Sequence, residues 1–478
     1  MIENIQIKKQ EIKNHFEGLA ARHAGSKRKH NYYWEEIIDY CNYFSNETLN
    51  VIEIGCGAGN LIGSIKGKRK TGIDFSPNMI SVARNMYPGI NFYLMDAEEL
   101  KFEEKFDLVI ISNLIGYTPD IQKVFEEIKK ISHAQTKVIV TYYNHLWEPL
   151  LKFFEKTGLK TPTPNQNWLT QPDIKNLLYI SGFDVYRETK RMLLPVYVPL
   201  ISHFLNKYIA TLPIIKFFTI NNYSFAKPFL DEIESDGQES SVSIVIPARN
   251  ESGNIENGLL RIPKFGLKQQ IIFVEGNSTD DTWDKIQEIA QKYSGEHEII
   301  IAKQEGKGKY DAVKKGFSLA TGDILMILDA DLTVPPEDLP KFYHTLVSGK
   351  GDFINGCRLV YPMEKQAMRF LNIIGNKFFS IMFSWLMSQP LKDTLCGTKV
   401  IRRTDYLKLA ANRKFFGDFD PFGDFDLLFG AFKLNLKIVE LPIRYQDRTY
   451  GETNISRFRH GLILLRMCIF AMRKIKFI

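Results

Sequence analysis

Short apolar runs alternate with stretches of helical period in two separate halves of the chain. In the first half VIEIG (51–55), KRKTGID (68–74), INFYLMD (90–96), FDLVIIS (106–112) and KVIVTYY (137–143) predict strands. Pro77–Met86 and Ile121–Ile131 predict helices between them. In the second half VSIVIPA (242–248), QIIFVEG (270–276), EIIIAKQ (298–304) and DILMILDAD (323–331) repeat the rhythm. Strand–helix alternation of this kind predicts an α/β protein built from two open, mostly parallel sheets. Ligands in such sheets sit at the carboxyl ends of strands, where the sharpest motifs of this chain also fall.

Between the halves lies DEIESDGQES (231–240), acidic, small and polar, directly before the β-branched run SVSIVIPA. A shift this sharp predicts a linker, with one domain over 1–230 (core 45–145) and a second over 241–478. The length of 478 residues agrees, being too great for one ordinary core. Hydrophobic content of 44% and charged content of 24% exclude a disordered chain. The net charge of +7 fits attraction to phosphates or anionic lipid, and equally a solvated basic surface; no nucleic-acid partner is expected. Five scattered cysteines without a Cys-x-x-Cys pair suggest neither a disulfide framework nor a zinc site, which favours a reducing, cytoplasmic setting. The N-terminus lacks the apolar stretch of a signal peptide. Residues 192–206 and 378–391 are uncharged, yet both fall short of the roughly 18–20 residues a membrane span needs.

VIEIGCGAGN (51–60) is an apolar strand ending in Gly55, Gly57 and Gly59, residues that permit positive φ and close approach of a ligand to the backbone. A dinucleotide fingerprint would need glycine at 60, where Asn60 stands. Glu53 before the glycines gives the turn the look of motif I of class I S-adenosylmethionine (SAM)-dependent methyltransferases, and the resemblance extends over about residues 45–145. It implies that Asp74, at the end of the next strand, accepts the ribose hydroxyls, as an acceptor-only carboxylate can. It likewise implies Asp96 near the adenine amino group and Asn113 near the methyl donor. His23, His30 and His145 are candidate bases, although methyl transfer from a sulfonium needs chiefly in-line positioning.

In the second half four features arrive in order. They are SVSIVIPARNESGNI (241–255), QIIFVEGNSTDDT (270–282), EGKGKYDAVKKGFSLATGD (305–323) and ILMILDADLTVPPEDL (324–339). Asp329 and Asp331, two apart after a buried strand, can hold a hard divalent cation (Mg or Mn) that bridges a diphosphate. The Gly-Lys loop is no Walker A motif, because Ile301 and Gly308 occupy required positions; Lys307 and Lys309 still stand beside a helix start.

The set resembles family 2 glycosyltransferases of the GT-A fold, particularly the dolichol-phosphate mannose synthase-like branch, over about residues 241–455. The resemblance implies a nucleotide-sugar donor site at Pro247, Asn250, Glu251, Glu275, Lys307 and Asp329. Catalytic roles would fall on Asp329, Asp331 and Arg448, with acceptor contacts at Arg358, Asp393 and Arg448 and Gly397 in the same pattern. The departures are Glu275-Gly276 for two aspartates, Thr333 for a glutamine and Asn454 for a lysine, with Arg457, Arg459 and His460 close enough to compensate. The implied acceptor is a polyprenyl or dolichyl phosphate, which is anionic and needs no general base. A sugar-hydroxyl acceptor would need one, and Asp424 or Asp426 is the candidate, each also a natural helix-start cap. The fused arrangement resembles a bacterial methyltransferase–glycosyltransferase family. A different reading makes one half a degenerate ligand-binding module. In the tail, Arg459, Arg466 and Arg473 lie seven apart on a predicted helix, consistent with a peripheral membrane contact or with docking onto the protein's own domain.

Overall fold

A computed structural model of the chain describes residues 7, 9–18, 32–158, 162–164, 166–229, 239–360, 370–412, 423–446, 448, 450 and 457–477, with the side chains of 370–374 and 457–460 excepted. Residues 231–238 of the linker, His23, His30, Asn454 and the side chains of Arg457, Arg459 and His460 lie outside that set. The chain forms two compact units, Met1–Phe229 with Phe477–Ile478, and Leu230–Lys476.

The first unit carries β1 (Asn50–Ile54), β2 (Arg69–Asp74), β3 (Asn91–Leu94), β4 (Phe106–Ser112), β5 (Ser132–Tyr143), β6 (Phe183–Arg191) and β7 (Asn221–Pro228). They pair in the order β3-β2-β1-β4-β5-β7-β6. The first five strands run parallel, and β7 is antiparallel to both neighbours. Ile52, Val109 and Val138 pack with Phe125 and Ile174 of helices Ile121–Lys130 and Gln171–Ile180, which cover the sheet. A covered parallel sheet explains why its strands read as continuous apolar runs. Helix Pro77–Met86 begins where expected: the Ser76 hydroxyl accepts the Met79 amide at 3.3 Å, and Pro77 needs no amide partner.

The second unit carries β8 (Val242–Ala248), β9 (Gln269–Glu275), β10 (Glu298–Lys303), β11 (Ile324–Ile327), β12 (Phe353–Cys357), β13 (Lys399–Arg402) and β14 (Ile438–Pro442). Their order is β10-β9-β8-β11-β13-β12-β14, parallel through the first four, with β13 antiparallel to β11 and β12. Both units are therefore open, mostly parallel α/β sheets. β11 is shorter than its apolar run: after Leu328 the chain turns, with Leu332 at φ 54°, and carries Asp329 and Asp331 out of the sheet. β3 also stops early, at Leu94, on the sheet edge where Tyr93 and Leu94 are exposed.

Candidate functional sites

In the first unit the strand order reverses between β1 and β4, and the carboxyl ends of β1 to β4 open on a cavity of about 290 Å³. Glu53, Gly55, Gly57, Asp74, Asp96 and Asn113 all line it. The three glycines hold φ of 74°, 51° and 80°. A Cβ at Gly55 would strike Leu114 and one at Gly59 would strike Phe92, whereas at Gly57 it would stand in open space. Gly55 and Gly59 thus serve the turn's packing, and Gly57 leaves the cavity wall open.

Asp74 fastens the same turn. Its carboxylate accepts the amides of Gly57 (2.8 Å) and Ser76 (2.9 Å), and lone-pair capacity remains for a ligand diol. Burial pushes its carboxyl up from the ordinary range. Glu53 is buried more deeply and accepts the Ile62 amide at 2.9 Å, and burial pushes it well up, with the Asp74 charge adding to the rise. Glu53 therefore anchors the short helix Asn60–Ser64 from beneath the cavity. Asp96 is tied by Lys9 at 2.8 Å, a contact from outside the motif. The Asn113 amide donates to the Tyr33 hydroxyl at 2.9 Å, and that hydroxyl donates to Asn221 at 3.0 Å. The Asn113 carbonyl oxygen is buried without a hydrogen-bond partner. An orphaned acceptor, an open glycine and free lone pairs on Asp74 fit a bound SAM. Lys9 and Tyr33 lie in segments with no motif, so sequence reasoning missed them.

In the second unit the reversal falls between β8 and β11. Asp329 leaves the end of β11 and meets Lys309 at 2.5 Å, at the first turn of helix Lys309–Leu319. Burial opposes the ammonium's charge, but Asp329 and Asp424 outweigh it and hold Lys309 above its ordinary range. Burial likewise opposes Asp329, and Lys309, Lys399 and Arg358 outweigh it to hold the carboxyl low. Gly397 packs against this pair, and a side chain there would fall on the Asp329 carboxylate and the Lys309 ammonium. Lys307 is exposed, so Lys309 is the lysine the geometry brings to the aspartates.

Asp331 meets Arg448 at 2.6 Å and accepts the Thr333 hydroxyl at 2.8 Å, so Thr333 positions the carboxylate. Arg448 also reaches Glu251 at 3.2 Å. Burial pushes Glu251 up to about 7; Asn254 and Arg448 oppose the shift, and Asp331 and Asp329 reinforce it. Asn250, at φ 56°, accepts the Thr279 amide at 2.8 Å, and Glu275 is buried, accepting the Ser278 amide at 2.5 Å. Asn250 thus ties the β8 and β9 loops together, and Pro247 is the penultimate residue of β8. Arg358 and Asp393 form a two-point buried pair at 2.7 and 2.8 Å.

Asp424 and Asp426 stand in the first turn of helix Asp424–Lys433, and Gly423 holds the cap position itself at φ 76°. Asp424 pairs with buried Lys399 at 2.6 Å, and Asp426 accepts the Tyr310 hydroxyl at 2.7 Å, so both acids of this helix start also have partners elsewhere in the unit. Asp329 and Asp331 are the two hard oxygen donors at the end of β11, and Glu251 reaches them only through Arg448. No cluster of three or more His, Cys, Asp or Glu positioned for a metal exists among the described residues. Two carboxylates fit a Mg-like ion, which completes its shell with water and substrate phosphates.

In helix Arg457–Ala471, Leu464, Met467 and Cys468 are buried while Leu462, Leu465, Arg466 and Ile469 are exposed; Arg473, just beyond, is exposed as well. One face packs on the second unit and another meets solvent. No helix among the described residues is long and apolar enough to cross a membrane.

Each unit is thus an open α/β domain with its site at a strand-order reversal, one shaped around a glycine turn and one around paired carboxylates. Residues 45–182 match the family model described as Methyltransferase domain, and residues 243–409 match Glycosyl transferase family 2. The chain joins a methyltransferase domain to a family 2 glycosyl transferase domain. Over 225 residues it is 39% identical to a dolichol-phosphate mannosyltransferase of Pyrococcus furiosus, covering 45% of this chain and 59% of that protein. Over 222 residues it is 25% identical to an undecaprenyl-phosphate 4-deoxy-4-formamido-L-arabinose transferase of Klebsiella pneumoniae, covering 46% and 63%. The chain therefore spans about three fifths of the length of these curated relatives. A solved magnesium protoporphyrin IX methyltransferase of Synechocystis, with bound SAH, aligns at a TM-score of 0.32 and 17% identity, covering 46% of this chain and 99% of that one.

Proposed function

We propose that the second unit moves a sugar from a UDP- or GDP-sugar to a polyprenyl-type phosphate, and that the first unit transfers a methyl group from SAM. The observation that carries the sugar-transfer reading is the pairing of Asp329 with Lys309 and of Asp331 with Arg448 at the end of β11. A divalent cation held by the two aspartates would neutralise the diphosphate as it leaves. Lys309 and Arg448, released from the carboxylates, are placed to hold phosphate oxygens, and Arg358 adds a third cation nearby through its effect on Asp329. An acceptor phosphate oxygen bonds to the anomeric carbon as the sugar–diphosphate bond breaks, and the nucleoside diphosphate departs. No proton has to be removed. That point favours a phosphate acceptor over a hydroxyl, since Asp424 and Asp426, the candidate bases, are engaged by Lys399 and Tyr310.

In the first unit Asp74 and Gly57 would hold the SAM ribose edge, Asp96 the adenine side, and Asn113 and Tyr33 the methyl end. The division into two compact units supports domain limits of 1–230 for methyl transfer and 241–478 for sugar transfer. The setting is cytoplasmic, and the exposed apolar and basic face of helix Arg457–Ala471 supports a peripheral contact with the membrane that carries the acceptor. The test is incorporation of radiolabelled sugar from UDP- and GDP-sugars into solvent-extractable lipid, with undecaprenyl or dolichyl phosphate supplied. Label in lipid that mild acid releases supports the reading. Label only in a soluble glycan contradicts it.

A further inference from the structure

Between β6 and β7 the methyltransferase unit turns its polar groups inward and its apolar ones outward. Residues 192–220 contain no Asp or Glu and two lysines, Lys207 and Lys216. The side-chain oxygen of buried Asn206 accepts the amides of Leu193 and Leu194 at 2.7 and 2.9 Å, and its amide donates to the Leu194 carbonyl and the Tyr32 hydroxyl. Buried Ser202 closes a second bend, donating to the Val196 carbonyl at 2.6 Å and accepting the Val198 amide at 2.7 Å. At the far end, the Asn144 amide holds the carbonyls of Phe217 and Thr219, and the Trp147 indole holds that of Phe218. The excursion is a built element with its backbone tied down.

What it presents to solvent is Tyr197, Leu200, Phe204, Ile214, Phe217 and Phe218, with Leu200 87% and Ile214 76% exposed. Single exposed apolar side chains are ordinary, but a run of them on one fixed segment marks an interaction surface. The rim is basic: the ammonium groups of Lys190 and Lys216 lie 5.2 and 5.8 Å from the Phe217 ring. Apolar residues beside cations, with no acid in the segment, match the acyl boundary and headgroups of an anionic bilayer. The surface also adjoins the site. Met192 and Ile220, at its two ends, pack in one cluster with Tyr33, Tyr143 and Trp168, and Tyr143 lines the 290 Å³ cavity.

We propose that residues 193–218 seat the methyltransferase unit on an anionic lipid surface, so that its methyl acceptor is met at the lipid–water interface. The seat stands on the exposure and charge of this segment; only the acceptor's location rests on the methyl-transfer reading. The unit would lie on the bilayer, since no described helix can cross one.

The test uses the full chain with vesicles of phosphatidylcholine, alone or mixed with phosphatidylglycerol. The triple variant Leu200→Glu/Ile214→Glu/Phe218→Glu alters exposed side chains only and should keep SAM affinity by calorimetry. It should cut co-sedimentation with the mixed vesicles about tenfold or more. Leu465→Glu/Ile469→Glu, on the second unit's helix, reports that unit's own contribution. Phe217→Trp gives a readout that does not depend on the triple variant folding: brominated lipid should quench the added fluorescence. Unchanged co-sedimentation of a folded triple variant, or an unquenched Phe217→Trp, overturns the seat. So does loss of self-association in the triple variant with no vesicle binding by the parent, which would assign the surface to a second copy. Failure of the parent to bind SAM would sink the methyl-transfer reading while leaving the vesicle result to stand or fall alone.

Discussion

Arg448 bridges two carboxylates, with one guanidinium nitrogen 2.6 Å from Asp331 and the other 3.2 Å from Glu251. The three residues lie far apart in sequence and meet only because the loops after β8 and β11 share one end of the sheet. A planar fork can span two acceptors in fixed geometry, and a lysine ammonium cannot. Arg448→Lys should therefore lose sugar transfer by about a hundredfold, on the scale of one lost transition-state hydrogen-bond donor. The pair is part-exposed, so stability should change by only about 1 kcal/mol. Turnover within threefold of the parent would show that Arg448 is a surface clamp.

Gly57 and Asp74 act as one device. Asp74→Ala should weaken SAM binding by about 1–3 kcal/mol, through lost hydrogen bonds to the ligand and a loosened glycine turn. Gly57→Ala places a side chain at φ 51°, costing roughly 1–2 kcal/mol, and directs it into the cavity. Calorimetry with SAM should show both losses in folded protein. Full affinity in both would remove the site assignment.

The Arg358–Asp393 pair is buried, so Asp393→Ala should destabilise the second unit by about 3–5 kcal/mol, leaving a guanidinium without its partner. Burial pushes the Asp393 carboxyl up, but Arg358 and two backbone amides outweigh it and hold it below its ordinary value of 3.8. A lowered carboxylate contributes stability that is complete above the unfolded-state value and is lost as pH falls through the folded-state value. The gap in thermal stability between parent and Asp393→Asn should accordingly shrink below about pH 4. A gap constant down to pH 2 would contradict the pairing.

Each unit has its own sheet and its own core, one around Ile52, Val109 and Phe125 and the other around Ile244, Phe273 and Phe342. Fragments 1–229 and 239–478 should each unfold cooperatively and each bind its own ligand, SAM or nucleotide-sugar. Aggregation of both fragments beside a soluble full chain would show the two to be interdependent.

The motif-bearing strands were legible because parallel strands buried on both faces are apolar throughout; Val242–Ala248 and Phe106–Ser112 match to the residue. β7 was not, because NNYSFAKP is polar in composition yet buried at every position. Its Asn221 and Ser224 find partners in Tyr33 and Tyr142, which no periodicity reveals. β13 was hidden for a similar reason: Lys399 is buried with its ammonium held by the Cys396 carbonyl and by Asp424, 25 residues later. In the sites, short spacings exposed the glycine turn and the Asp-Ala-Asp segment. Lys9, Tyr33 and Lys399 arrive through tertiary contact, so only coordinates place them.

The central claim is that Asp329 and Asp331 work through a divalent cation, which would take their charge and free Lys309 and Arg448 for the diphosphate. The most direct measurement is donor turnover in the presence of undecaprenyl phosphate, across manganese and magnesium titrations, beside EDTA and the Asp331→Asn variant. Asparagine conserves side-chain volume and should preserve the fold. The account predicts saturable metal activation, near-complete loss in EDTA, and loss of most turnover in Asp331→Asn, because metal stabilisation of the leaving group is worth several kcal/mol. Full activity in EDTA, or in a folded Asp331→Asn variant, would contradict it.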